Sequence, residues 1–341
     1  MTKNSYLIPF FLIMAAVVIQ FCAGNFPFHF FEFPLNVILG AIWVYSIYTL
    51  VHDNNSESNI SKVIVSPKTT AFSLFLFICG TLVIGLFPQM SAVDAENESG
   101  LLGRLGFYNF MSSWIFVSIL FILLSHLAAI TIRGFKSRKK KRWRFLLNHA
   151  GVWIALFGGF MGSSDIVTAR IPVFFESENN EAQTMEGQYF YLDYNMQLID
   201  FNVEHYQNGM PKSYVAEVKI SDRENGNSSQ VSLEVNHPYE YNLGEDIYLV
   251  SYDTRSDKPQ YCILQIVRQP WKYVQLIGII MTIAGAIGMF IGGPQKKDFK
   301  RIIINLNNIN KDDNKLGHIL YIHHCLCNLV DYQCCDLGYK K

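Results

Sequence analysis

Six stretches read as nearly unbroken apolar runs, at 6–23, 35–51, 70–87, 113–132, 145–161 and 273–291. Each is close to the roughly 17–25 residues a helix needs to cross a bilayer. Between the fifth and sixth runs the pattern changes to a period of two. "YVAEVKI" puts Tyr214, Ala216, Val218 and Ile220 on one face, and "VSLEV" does the same for Val231, Leu233 and Val235. "IYLVSY" and "YCILQIV" repeat the alternation, and Asn-Gly steps at 208–209 and 225–226 supply turns. Strands spaced by polar turns predict an all-β domain, a small antiparallel sandwich or open barrel. About 110 residues suffice for one core.

Composition supports this division. Of 341 residues, 50% are hydrophobic and 16% charged, against about 25% charged in soluble domains. A net charge of zero argues against a nucleic-acid partner. Charge placement then orients the chain. "RGFKSRKKKRWR", 133–144, carries eight basic residues, and "GGPQKKDFKR" follows the last run. The loops 24–34 and 88–112 hold one, Arg104. The positive-inside bias makes the basic segments cytoplasmic. The first run follows Lys3 but lacks a small-residue cleavage site, so it reads as an uncleaved helix.

The expected fold is a polytopic α-helical membrane protein with six spans and both termini cytoplasmic. An extracytoplasmic all-β domain lies between spans five and six. The expected divisions are a five-span region at 1–161, the β domain at 162–272, the last helix at 273–292 and a cytoplasmic tail at 293–341.

Ionisable groups inside spans are costly and are therefore functional candidates. His126 lies in the fourth run and His149 in the fifth. His126 reads as a neutral imidazole bonded to a neighbouring helix, with a functional role as the alternative. Around His149, Gly151, Ala155, Gly158 and Gly162 form a small-residue face that allows close helix approach, and Gly278, Gly285 and Gly292 offer a matching one. His149 points roughly 160° away from Gly151. It is either a metal ligand or an interfacial side chain reaching headgroups, and spacing does not choose between them. His29, in the aromatic loop "GNFPFHFFEFPL", reads as a surface plug as readily as a ligand. His205 and His237 fall in the β region, where turn or surface roles are expected.

Seven cysteines include no CxxC or CxxCH, which excludes a thioredoxin-type site and covalent c-type haem. Cys262 has no partner in the outer region, so no intrachain disulfide is expected there. The crowded "HHCLC" at 323–327 lacks the spacing of structural zinc sites. P-loop, dinucleotide, HExxH and nucleophile-elbow motifs do not occur, so a self-contained soluble enzyme is not expected.

Three stretches carry a family resemblance. They are "LLNHAGVWIALFGGFMGS", "IDFNVEHYQNGMPKSYVAEVKI", and "VNHPYEYNLGEDIYLVSYD" running on to "LQIVRQPWKYVQLIGIIMTIAGAIGMF". Together they resemble the ResB-like family, the CcsB half of the System II cytochrome c biogenesis complex, over about residues 1–300. The resemblance implies a haem-handling subunit that works with a CcsA-type membrane protein in the bacterial inner membrane. The pair moves haem outward for attachment to CxxCH of apocytochromes c, and a thiol-reducing partner is implied as well. The cofactor would be a transient, non-covalent haem b. His149 matches the family's axial haem ligand, with His126 as a secondary candidate. No "WGxxWxWD"-type segment occurs, and Trp43, Trp114, Trp143, Trp153 and Trp271 are dispersed. The haem platform would therefore belong to another chain, and this subunit would not be catalytic alone. The alternative is a non-haem membrane scaffold whose outer β domain binds partner proteins. The tail 305–341 departs from the family. Codons allowed for 316–341, read one base on, can encode an open apolar run like the start of a CcsA-type span, so the tail is expected to be out of frame or disordered.

Overall fold

The computed structural model describes residues 7–52, 59–91, 94–95, 97–98, 100–136, 143–185, 187–208, 210–255 and 259–292. The basic stretch 137–142, Gly209 and the whole of 293–341, with its "HHCLC", lie outside the described residues. All six apolar runs are helical: α1 Leu7–Ala23, α2 Leu35–His52, α3 Pro67–Leu86, α4 Trp114–Lys136, α5 Trp143–Gly162 and α6 Lys272–Gly292. α3 starts before its apolar run because Pro67 fits the first helical position, where no N–H is needed. α3 to α6 are long and apolar enough to cross a bilayer, and α1 and α2 are shorter apolar helices. These are the helices of a membrane protein.

α4 is mostly buried, whereas few residues of α3, α5 and α6 are fully buried, and α5 is half-buried along most of its length. It packs against α1, α2, α3 and α5. Polar side chains fix these contacts, since an unpaired polar group in an apolar bundle is costly. Gln20 of α1, 2% exposed, accepts from the Trp114 backbone N–H at 2.9 Å and donates to Asn25 Oδ1 at 3.2 Å. Ser113 caps α4, its Oγ accepting from Phe116 N at 3.1 Å. Trp43 of α2 donates to Ser125 Oγ at 3.1 Å, and Trp153 of α5 donates to the Leu124 carbonyl at 3.2 Å.

The small-residue face of α5 meets α6. A Cβ at Gly151 would lie 2.5 Å from Thr282 N and 2.7 Å from the Gly278 carbonyl. A Cβ at Gly285 would lie 2.7 Å from Asn148 Cα. Further along, Gly158 faces Val274 and Gln275, and Gly162 faces Trp271. Asn148 Nδ2 donates across the seam to the Thr282 carbonyl at 3.1 Å.

The β region forms one eight-stranded antiparallel sheet in the order β5-β4-β3-β2-β1-β8-β7-β6. The strands are β1 Val167–Phe174, β2 Asn179–Thr184, β3 Tyr189–His205, β4 Pro211–Asp222, β5 Ser228–Glu234, β6 Tyr239–Asn242, β7 Glu245–Tyr252 and β8 Tyr261–Arg268. Its ends curl toward each other. β5 contacts β7, Glu234 bridges to His237, and Tyr214 Oη donates to the Val250 carbonyl at 3.3 Å. The result is an open barrel around Ile171, Val173, Leu192, Met196, Ile220, Leu233, Ile247 and Leu264. The expected inward faces hold, with Ala216, Val218 and Ile220 at 0–1% exposure. At the second Asn-Gly step, Gly226 has φ +66°, and Asp222 Oδ1 accepts from Glu224 N at 2.8 Å and Asn225 N at 3.1 Å. These N–H bonds hold the Asp222 carboxyl below its ordinary pKa. Cys262 is fully buried in the core, and burial pushes its thiol up to about 12, so it is an inert thiol.

The seam gives a direct expectation. Gly151→Leu should force α5 and α6 apart at a cost of about 1–3 kcal/mol. Gly85→Ala, with nothing within 4 Å of the new Cβ, should be neutral or gain up to about 1 kcal/mol of helix propensity. Thermal unfolding of the detergent-solubilised protein measures both. Equal melting of Gly151→Leu and the parent would remove the seam from the account.

Candidate functional site

His149 sits in the second turn of α5, half-buried, off the glycine face. Its ring lies 3.7 Å from that of Phe145, centroid to centroid, at an interplanar angle of 30°. Its Nδ1 is 2.9 Å from the Phe145 carbonyl. A carbonyl only accepts, so Nδ1 carries the proton and Nε2 keeps its lone pair. That is the tautomer of a histidine ligand oriented by a backbone carbonyl.

His126 of α4 is 2% exposed, and its Nδ1 is 2.6 Å from the Ile64 carbonyl. Ile64 ends the short helix Asn59–Ile64, so the bond ties α4 to the segment leading into α3. The same tautomer argument leaves Nε2 with its lone pair, and this atom is buried without a partner among the described residues. α2 extends to His52, one residue beyond its expected end.

The other candidates fall elsewhere. His29 is exposed in the 3₁₀ turn Phe28–Phe31, its ring 4.0 Å from that of Phe30. Nearby, Phe26 stacks on Phe31 and meets Trp114 edge-on. His205 closes β3 opposite Pro211, and His237 sits in the turn after β5. Among the described residues no three His, Cys, Asp or Glu side chains are grouped to hold a metal ion.

The sequence reading missed the junction where the barrel leaves the helices. Asp165, in the 3₁₀ turn after α5, accepts three hydrogen bonds: from Phe33 N at 2.8 Å, Asn36 Nδ2 at 2.7 Å and Trp271 Nε1 at 2.7 Å. The entry to α2, the end of α5 and the entry to α6 thus converge on one carboxylate. Asn36, 1% exposed, also donates to the Met161 carbonyl at 2.9 Å. Beside it, Lys272 pairs with Asp246 at 2.7 Å, and Tyr273 bonds Glu240. Arg268 and Tyr194 both bond Glu245, at 3.0 Å and 2.6 Å. Burial and this bond raise the Tyr194 hydroxyl far above its ordinary pKa, so it remains protonated. A lone acid after a spanning helix was the available signal, but its partners lie more than 100 residues away in sequence.

An apolar bundle holding one buried imidazole, His126, joined to an open β barrel, defines a membrane protein with an appended β domain. Residues 128–260 match the model of the ResB-like family. That stretch runs from α4 through α5 and the barrel strands to just before β8, and over those residues the resemblance seen in the sequence is borne out. No curated protein matches. A solved structure titled "Cytochrome c Heme Lyase CcmF" aligns at 10% identity with a TM-score of 0.33, covering 74% of this chain and 45% of that one. The chain therefore spans less than half of that structure's length.

Asp165→Ala removes the shared acceptor from three donors. Each bond to a charged group is worth about 1.5–3 kcal/mol, so the junction should loosen by a few kcal/mol while the barrel core stays folded. Limited proteolysis should cut at 163–167 sooner than in the parent, with the barrel fragment intact. Unchanged cleavage would show that the clasp does not hold the junction.

Proposed function

We propose that this chain is the haem-handling subunit of a System II cytochrome c synthase, and that His149 is an axial ligand to haem iron. The observation that carries the proposal is the His149–Phe145 hydrogen bond. It fixes the Nδ1–H tautomer and leaves Nε2 as a donor atom on a helix inside the ResB-like match. The residues suit the cofactor, since a neutral imidazole away from the α5–α6 seam ligates iron without disturbing helix packing. Bound haem b would supply the porphyrin whose vinyl groups become attached to apocytochrome thiols. This chain's part is to hold the ligand ring in orientation and to exclude water with the apolar bundle. A CcsA-type partner would supply the second axial ligand and the tryptophan-rich platform. His126 is the secondary candidate: its free Nε2 is compatible with ligation, while its bond to Ile64 serves helix packing.

In this reading the six helices all span the bacterial inner membrane. Both termini are cytoplasmic, 162–272 is extracytoplasmic, and the tail follows inside. The support is the basic excess at 133–144 and 292–301 against a single Arg in the loops 24–34 and 88–112.

Orientation is tested at Asn208, in the β3–β4 turn. Asn208→Cys should react with a membrane-impermeant maleimide added outside intact cells. The labelled protein also carries Cys22→Ser, because Cys22 is exposed at the outer end of α1 in this reading, while Cys262 gives no background because it is buried. Labelling from the cytoplasmic side alone would reverse the topology.

His149→Ala, co-expressed with a CcsA-type partner, should lose most of the co-purified haem and its Soret band. Added imidazole should restore both, since it supplies the same donor atom untethered. His149→Gly should be rescued at least as well, although Gly costs about 1 kcal/mol of helix propensity. His126→Ala should show no imidazole rescue if its role is the Ile64 bond. Haem content unchanged in His149→Ala would return this residue to an interfacial role and leave the scaffold reading standing.

A further inference from the structure

A cavity of about 350 Å³ opens between α1, α2, α4 and α5, toward the end of the bundle from which the β domain departs. Its size falls within the roughly 300–1,000 Å³ of small-molecule sites. The walls include Leu39 and Trp43 of α2, Trp114, Ser118 and Phe121 of α4, and Phe160 of α5. Trp43 and Phe121 stack with ring centroids 4.4 Å apart, which presents a flat aromatic wall. Three polar residues of the lining are already committed: Asn36 bonds Met161 and Asp165, Ser164 bonds the Phe31 carbonyl, and Trp43 bonds Ser125. Two are not. Trp114 Nε1 is buried with no acceptor among the described residues. The side chain of Ser118, one turn further along the same face of α4, makes no hydrogen bond among them either.

An ordered water needs two to four polar partners, and Trp114 Nε1 with the Ser118 hydroxyl meets only the lower limit in an otherwise apolar wall. A buried N–H without an acceptor is costly. Apolar walls with one unmet donor at the helix end describe a ligand with a carbonyl at one end and an apolar chain behind it. Trp114 is the first residue of α4, at the level where indoles sit in the bilayer interface. Ser118 and Phe121 follow it inward along the helix.

We propose that this cavity binds a membrane lipid. Its carbonyl accepts from Trp114 Nε1, and its apolar chain runs along Ser118, Phe121, Trp43 and Leu39. The carbonyl could be the ester of a phospholipid or the ring oxygen of an isoprenoid quinone, and both offer the same acceptor. The site is separate from His149 and stands whether or not that histidine ligates haem.

The test is lipid retention. The full-length protein, washed extensively in detergent, is extracted and analysed by mass spectrometry for phospholipids and quinones. About one molecule of one class should remain per chain, and its class identifies the source of the carbonyl. Trp114→Phe keeps the edge contact with Phe26 but removes the donor, and should retain several-fold less. Ser118→Phe fills the cavity and should retain none. Leu39→Trp, filling from the opposite wall, gives the same reading should Ser118→Phe lower the melting temperature. No retained carbonyl-bearing lipid in the parent, or equal retention in the parent and all variants, would overturn the proposal.

Discussion

Inside an apolar bundle, a polar side chain has to find its hydrogen-bond partner on another segment of the chain, because no water is available to supply one. The architecture follows from that constraint. Gln20 holds the start of α4, Trp43 and Trp153 hold its middle from two sides, and His126 ties it to the segment before α3. Apolar packing brings these helices together without choosing one rotation over another, since one apolar face resembles the next. The few directional bonds make the choice, and α4 becomes the buried centre because it receives most of them.

The α5–α6 pair is held differently. Its seam is backbone against backbone, with Gly151 and Gly278 close enough that a methyl group would collide. Two helices so joined carry the barrel between them, and its first and last strands are hydrogen-bonded neighbours, from Val167 opposite Arg268 to Phe174 opposite Tyr261. Asp165 and Lys272 then fasten the two ends of the barrel to the helix ends. His149 lies on the same helix as the seam but on another face, so packing and ligation can be served by different residues of α5.

The periodicities were sufficient for the elements. Runs of the right length became the six helices, and alternation at 214–220 and 231–233 became inward-facing strands, because burial of one face depends on local spacing alone. The glycine faces of α5 and α6 were legible for the same reason. The resemblance in three quoted stretches led to the ResB-like segment, and it singled out His149 where spacing left two readings open.

What remained hidden depends on residues far apart in the chain. The Asp165 clasp joins groups 106–132 positions away, and nothing local to any of them announces the others. The tautomers of His126 and His149 depend on which carbonyl each ring nitrogen meets, a matter of side-chain direction that composition does not encode. The cavity beside Trp114 is walled by side chains of α1, α2, α4 and α5 together, which only the packed bundle brings to one place. Sequence by itself determined which segments are helix or strand and which faces are apolar, since those follow from neighbours along the chain. Only the tertiary structure decided which polar atoms are satisfied and which are left free, since that depends on partners brought together across the fold.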